Sequence, residues 1–241
     1  MKVIQLNTWG GRLGKQIIGL LTREKADIVC VQEAIEMPGG DSFLFENLEE
    51  IKIQTGYQYC FFSPQFGYKF MNREAKSGHA ILSNLPFVET YVTFTRLKYI
   101  DNFDLLDTDY NIRCFQHVVV ERGGERLNIV NHHWHHVRTH KNGNEETMRQ
   151  CKMIVDYIQK LQGPVVLCGD FNLAPDSESI EQINQILVNQ VKERGVLTTR
   201  TPLTHKTEVC DYIFTSSNIG VKDFQVLDDI ASDHKALVIE F

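Results

Sequence analysis

The sequence predicts an α/β protein built from two stacked, mixed β-sheets flanked by helices. Three observations carry the prediction. Eleven short runs rich in β-branched and aromatic residues are interspersed with a few amphipathic helical stretches along 241 residues. Eleven strands are too many for one open sheet in a chain of this length, so two sheets are needed. Several runs follow one another through tight turns, as at Glu121-Arg122-Gly123-Gly124-Glu125, so the sheets are mixed and contain antiparallel hairpins.

The elements follow in order. Val3–Asn7 reads as the first strand. Residues 11–25 read as a helix, with Leu13, Ile17, Leu20 and Leu21 on one side. Asp27–Gln32 is the next strand, and 41–54 is a weaker helical stretch. Tyr57–Phe62, Gly78–Ser83, Glu89–Thr95, Cys114–Glu121 and Leu127–Asn131 read as strands. Helix 144–162 carries Met148, Cys151, Ile154, Val155, Ile158 and Leu161 on one face. Asn144 is its N-cap, Glu145 and Glu146 fill its first turn, and Gly163-Pro164 stops it. Val165–Cys168 is a strand and 177–194 a third helix, with Ile180, Ile183, Leu187 and Val191. Val209–Phe214, Val221–Val226 and Ala236–Phe241 complete the strands. No repeat, low-complexity tract or Pro/Gly/Ser linker interrupts the series, so residues 1–241 are expected to form a single domain.

Composition narrows the function classes. A hydrophobic fraction of 42% and a charged fraction of 23% exclude a disordered, collagen-like or coiled-coil chain. No apolar run approaches the roughly 20 residues that span a bilayer, so no integral membrane segment is expected. Met1–Asn7 turns polar too soon for a secretory signal, and a cytoplasmic protein is expected. The six cysteines form no CxxC pair and sit mostly in apolar runs; they read as buried thiols. Twenty-five basic and 31 acidic residues give a net charge of −6, so a polyanion could be held only by a local basic patch.

The informative residues are polar groups at the ends of apolar strands. Asn7 follows the first strand, Gln32-Glu33 ends the second, and Asn131-His132-His133 ends the strand at 127. Gly169-Asp170-Phe171-Asn172 ends the strand at 165, and Ser232-Asp233-His234 precedes the last strand. Asp211 lies inside an apolar run, where a charge needs a partner. Ligands collect beyond strand ends in α/β sheets. If these ends converge, one pocket receives Asn7, Glu33, His133, Asp170, Asn172, Asp211, Asp233 and His234. Carboxylates in one place repel unless a cation compensates. A hard oxygen donor set with few imidazoles suits Mg²⁺ or Mn²⁺ more than Zn²⁺. Such a pocket suits attack of water on a phosphoester. Taken singly, the strand-end pieces are also at home as turns or solvated strand ends, whereas Asp211 is harder to read that way.

In order and spacing the pieces together resemble the endonuclease/exonuclease/phosphatase superfamily, the deoxyribonuclease-I-like fold. The matching segments are Leu6-Asn7, Val31-Gln32-Glu33, Ser77-Gly78-His79-Ala80-Ile81-Leu82-Ser83, Asn131-His132-His133, Gly169-Asp170-Phe171-Asn172, Asp211-Tyr212-Ile213-Phe214 and Ser232-Asp233-His234. They span nearly the whole chain. The resemblance implies a four-layer α/β sandwich and divalent-metal-dependent phosphoester hydrolysis. It implies Glu33 as the principal metal ligand, with Asn7 beside it and Asp233 next to the metal or its waters. It implies that Asp170 orients or deprotonates water and that Asn172 helps hold water and phosphate. It implies that His234 contacts the phosphate, that Asp211 orients His234, and that His133 steadies the phosphate. The family's usual Asn-Thr-His-Leu is here Asn131-His132-His133-Trp134. A Pro-Ala-Trp-Cys-Asp-Arg run, the mark of inositol-polyphosphate phosphatases, is absent before Asp211.

The surrounding segments bear on substrate. Residues 63–77 mix Phe66, Tyr68 and Phe70 with Lys69, Arg73 and Lys76, which suits either a stacked base or a strand pair with a solvated turn. Residues 98–112 carry Asp101, Asp104, Asp107 and Asp109 and would disfavour a long polyanion on that side. Arg200, His205 and Lys206 precede the Asp211 strand and either face phosphate or lie in solvent. Five histidines between His132 and His140 match no zinc box, although a second metal site there is conceivable. The leading expectation is a Mg²⁺- or Mn²⁺-dependent phosphodiesterase, with nucleic acid placed first as substrate. A lipid or small-molecule phosphodiesterase comes next, because Leu6-Asn7-Thr8-Trp9-Gly10-Gly11 is similar to the opening of some neutral sphingomyelinases. A phosphomonoesterase and an inactive binding module follow. No protein partner is evident from the sequence.

Overall fold

In the computed structural model, which describes residues 1–39, 45–107 and 109–241, the strands form two six-stranded mixed sheets. The first sheet contains β1 (Lys2–Asn7), β2 (Ile28–Glu36), β3 (Tyr59–Phe70), β4 (Arg73–Ser83), β11 (Asp223–Val226) and β12 (Leu237–Glu240), in the order β11-β12-β1-β2-β4-β3. The second contains β5 (Phe87–Arg96), β6 (Arg113–Arg122), β7 (Glu125–His133), β8 (Val165–Asp170), β9 (Val188–Asn189) and β10 (Asp211–Thr215), in the order β5-β6-β7-β8-β10-β9. The β1–β2 and β7–β8 pairs are parallel.

Helices cover both outer faces, giving four layers. Helices α1 (Gly14–Glu24) and α2 (Leu48–Thr55) bury Ile17, Leu20, Leu21, Leu48 and Ile51 against Ile4, Leu6, Val29 and Leu82 of the first sheet. Helices α3 (Glu145–Ile158) and α4 (Glu178–Asn184) bury Cys151, Ile154, Ile180 and Ile183 against the second. The alternation of a strand puts Ile4 and Leu6 under α1, while Gln5 and Asn7 turn toward the facing sheet. Asn144 caps α3 as expected: its side chain accepts from Thr147 N, and Thr147 Oγ1 accepts from Asn144 N.

The expected helix over 177–194 is two short helices with a strand between them. Helix α4 stops at Asn184, Val188 and Asn189 pair with Thr215 and Phe214 of β10, and α5 (Gln190–Glu193) restarts. Two asparagines account for the break. Asn189 donates to Asn184 Oδ1 and caps α5 by accepting from Lys192 N, so side chains take over from the helical ladder. The helical stretch expected at 41–54 is observed only as α2; residues 40–44 lie outside the described residues. The 63–77 segment is a strand pair, β3 and β4, closed by Met71-Asn72, both at positive φ. Segment 97–107 folds back onto β3 through Gly67 N to Ile100 O and Phe103 N to Gly67 O. The cysteines carry free thiols, and all are buried except the partly exposed Cys60. No described helix is long and apolar enough to cross a membrane.

A polar layer runs between the sheets beneath one end of the sandwich. Gln5 donates to Gln32, Gln32 to Asn131, and Asn131 to Gln116, with Gln116 donating on to Ser63. All four amide side chains are fully buried, and each bond answers a desolvated group. This chain of amides fixes how the two sheets meet, and the functional groups stand at its edge.

Candidate active site

Glu33 reaches its place through a β-bulge. The register of β2 against β4 shifts between Val31 and Ala34, and Glu33 adopts φ +55°. The strand does not end at Glu33 as expected but runs on to Glu36; the extra residue bends it there and turns the carboxylate into a cavity of about 830 Å³. Asn7, at the end of β1, donates its amide to both Glu33 Oε1 and Asp170 Oδ2 at 3.0 Å. The Asn7 oxygen accepts from Trp9 N, so the side chain bridges the two carboxylates as a donor.

Asp170 ends β8 directly opposite His133 of β7. Gly169, just before it, permits this close pairing: a Cβ there would stand 1.9 Å from the His132 carbonyl oxygen. Asp170 Oδ2 lies 3.6 Å from both His133 Nε2 and His234 Nε2, and Oδ1 accepts from Asn172 N. Burial pushes the Asp170 carboxyl up, but His234, Arg200 and Lys141 outweigh it and hold the group well below the usual carboxylate range. Asp170 is therefore an ionised acceptor at neutral pH. Glu33 is pushed up by burial and by the nearby charges of Asp170 and Asp233, against the lowering by Asn7 and His234.

His234 is gripped from behind by Asp211. Nδ1 lies 2.9 and 3.0 Å from the two carboxylate oxygens of this fully buried residue, which also accepts from Thr199 Oγ1 at 2.7 Å and Gln5 Nε2 at 3.1 Å. Burial lowers the His234 pKa, but Asp211 and Asp170 raise it further, to well above the ordinary imidazole value. Arg200 Nη1 abuts His234 Nε2 and lies 3.5 Å from Asp233 Oδ2. The guanidinium and an Nε2 proton compete for the same point.

Asn172, at φ +54°, faces His133: Nδ2 is 3.0 Å from Nε2. Burial and Arg113 hold His133 well below the usual imidazole range, so it is neutral.

The structure thus brings Asn7, Glu33, His133, Asp170, Asn172, Asp211, Asp233 and His234 together at one end of the sandwich, around the cavity floor. Arg200 and Lys206 line the same cavity, whereas His205 is exposed and outside its lining. Of the histidine cluster, His133 and His136 face the cavity. His132 is buried on the outer side of β7 beside Phe115 and Trp134, and its Nε2 is 3.2 Å from Thr95 Oγ1. The sets of His, Cys, Asp and Glu close enough to share an ion are Glu33/His133/Asp170 and Asp170/Cys210/Asp211/His234, among the described residues.

Two site residues escaped the sequence reading. Arg113, buried, donates to the Trp134 carbonyl at 2.8 Å and lines the cavity; burial pushes its pKa down to about 10. Lys141 donates to Asn172 Oδ1 at 2.7 Å. A single cation outside a motif leaves no signal in one sequence. Away from the charged floor, the cavity wall is Phe45, Phe66, Tyr68, Phe70 and Tyr110, and Arg12 stacks on Trp9 at 4.6 Å.

The profile of the Endonuclease/Exonuclease/phosphatase family matches residues 4–234. The chain belongs to that family, whose members are hydrolases acting on phosphoesters. Solved structures share the fold at low identity. An endonuclease/exonuclease/phosphatase from Beutenbergia cavernae superposes with a TM-score of 0.78 at 18% identity, covering 99% of this chain and 70% of that one. A mannosyl-6-phosphatase from Bacteroides thetaiotaomicron gives 0.72 at 17%, covering 100% and 98%. The human Nocturnin catalytic domain gives 0.69 at 18%, covering 99% and 93%. No curated protein sequence matches the chain.

Proposed function

We propose that the protein is a divalent-metal-dependent phosphodiester hydrolase. The observation that carries the reading is the meeting of an ionised Asp170, an Asp211-held His234 and the crowded Glu33 on one cavity floor. A Mg²⁺ or Mn²⁺ ion fits the donor set. Glu33 is crowded by two carboxylates, and its side chain has Asn7 as a hydrogen-bond partner, so its negative charge is left largely uncompensated. Glu33 would hold the ion, with Asp233 beside it and Asn7 orienting Glu33 and Asp170. When bound, the ion would offset charge on the phosphate oxygens.

The chain's own residues supply the rest. Asp170 Oδ2 orients the attacking water or takes its proton as the new P–O bond forms. The ester P–O bond opposite breaks and its leaving oxygen takes a proton from solvent, while Asn172 holds Asp170 and the phosphate in register. His234 Nε2 donates to phosphate, with Asp211 keeping the imidazole aligned. His133 steadies Asn172 and, through it, the phosphate. Arg200 and Lys206 bind phosphate oxygens from the wall.

For substrate we propose a nucleic acid read one nucleotide at a time. The aromatic wall suits a stacked base, and a cavity of about 830 Å³ is in the range of small-ligand pockets. A compact phosphodiester that is not nucleic acid is the second reading. It is favoured by the acidic segment carrying Asp101, Asp104, Asp107 and Asp109 beside that wall. The test is incubation with labelled single-stranded DNA, single-stranded RNA and supercoiled plasmid, in Mg²⁺, in Mn²⁺ and in EDTA, with His234→Ala purified in parallel. Metal-dependent cleavage of a single strand by wild type alone supports the nucleic-acid reading. No cleavage of any of the three, with small diesters still hydrolysed, replaces it with the second.

A further inference from the structure

We propose that Lys141 is a positioning residue of this site: it fixes the carboxamide of Asn172 and, through Asn172, the tautomer of His133. The consequence for rate rests on the hydrolase reading above; the structural half stands on geometry alone.

Lys141 lies in the connection between β7 and α3. Its ammonium can only donate, and Nζ is 2.7 Å from Asn172 Oδ1. That contact settles which way the carboxamide points. Nδ2 must then face His133 Nε2, at 3.0 Å, and Nδ2 also only donates. His133 Nε2 therefore presents a lone pair, and the ring proton sits on Nδ1. Without Lys141 nothing distinguishes the two amide orientations so firmly: the flipped carboxamide would offer Oδ1 to a His133 protonated at Nε2. One ammonium thus selects one of two hydrogen-bond patterns across the cavity floor.

The backbone holds Lys141 to the same loop that its side chain grips. Ala174 N donates to the Lys141 carbonyl at 2.7 Å, and Trp134 N donates to the Asp170 carbonyl at 2.9 Å. The connection after β7 is therefore fastened to residues 170–174 at two points, and the side-chain bond lies between them. Lys141 is outside the residues lining the cavity; its side chain reaches the site through the Asn172 hydrogen bond. Its charge also helps hold Asp170 ionised, an effect that Lys141→Arg keeps and that the His133 tautomer does not report.

The test uses Lys141→Met, which keeps the apolar stem, and Lys141→Arg, which keeps a donor. Long-range ¹H–¹⁵N correlations of the imidazoles in metal-free protein, with His133 assigned by His133→Gln, report the tautomer. Wild type and Lys141→Arg are expected to show His133 protonated at Nδ1, and Lys141→Met a mixture of both tautomers. With bis(p-nitrophenyl) phosphate and Mn²⁺, Lys141→Met is expected to lose roughly 10- to 100-fold in kcat with KM changed less than about threefold, and Lys141→Arg to recover most of it. If the His133 pattern in Lys141→Met equals wild type, the proposal is overturned whatever the rate. If Lys141→Met does not fold, Lys141→Leu, which also has no donor, carries the same comparison. If wild type hydrolyses no phosphodiester, the hydrolase reading fails while the spectra still decide the positioning role.

Discussion

Asp211→Asn isolates the charge behind His234 with little change of volume. The Asp211 carboxylate accepts from Thr199, Gln5 and His234, and all four residues are almost fully buried. An amide in its place turns a donor toward at least one of these donors and removes the charge that two of its oxygens share with His234. Breaking one side of a buried ion pair costs about 3–5 kcal/mol, so a loss on the order of 3 kcal/mol is expected near pH 6. The pH dependence is more diagnostic than the loss itself. The His234 pKa is raised in the folded protein by Asp211 and Asp170, against burial. Its stabilisation is fully present below the unfolded imidazole value of about 6.5 and is lost as pH rises through the folded value. Across that window the native state holds one proton more than the unfolded chain. The difference in stability between wild type and Asp211→Asn should therefore shrink by about 1.4 kcal/mol per pH unit above pH 6.5. Urea denaturation in EDTA between pH 5.5 and 9 measures it. A difference that stays constant over that range refutes the argument and leaves His234 neutral, with Arg200 as its Nε2 partner.

Other perturbations follow from the same geometry. Asp170→Asn should fold and lose at least about 10²-fold in kcat, read by steady-state hydrolysis and circular dichroism. His79, fully buried in β4, has its pKa pushed down to about 3 by burial and Arg113. Its contribution is present above about pH 6.5 and lost as pH falls toward 3, so His79→Leu should flatten the acid limb of a stability–pH profile by about 1.4 kcal/mol per unit. Gly169→Ala would place a Cβ 1.9 Å from the His132 oxygen, and a loss of about 3 kcal/mol or more in urea denaturation is expected. Glu33→Ala should abolish Mn²⁺ binding measured by calorimetry, and unchanged binding would remove Glu33 from the ligand set.

Much of this site was legible because its chemistry breaks the local rules of its strands. Asp211 in an apolar run, the polar groups closing β1, β7 and β8, and Glu33 at the bulge of β2 have no reason to be there as packing residues, and they do converge. What stayed hidden depends on contacts distant in sequence. The bulge that aims Glu33 exists only as a register between β2 and β4. The break in 177–194 comes from the Asn184–Asn189 bond and the Asn189 cap together with the pairing of Val188 and Asn189 with β10, which override helical periodicity. The turn at Met71-Asn72 lacks a glycine, so β3 and β4 ran on further than their apolar cores indicated. Lys141 and Arg113 became meaningful only when Asn172 and Trp134 stood opposite them.

The central claim is that this floor of carboxylates and imidazoles cleaves phosphodiesters with a bound divalent ion. The most direct measurement is hydrolysis of bis(p-nitrophenyl) phosphate by wild type, Asp170→Asn and His234→Ala, each with Mn²⁺ and with EDTA. Turnover by wild type with Mn²⁺ alone, lowered at least about 10²-fold in both variants, is the predicted result. Turnover that survives EDTA, or that Asp170→Asn leaves unchanged, would contradict it.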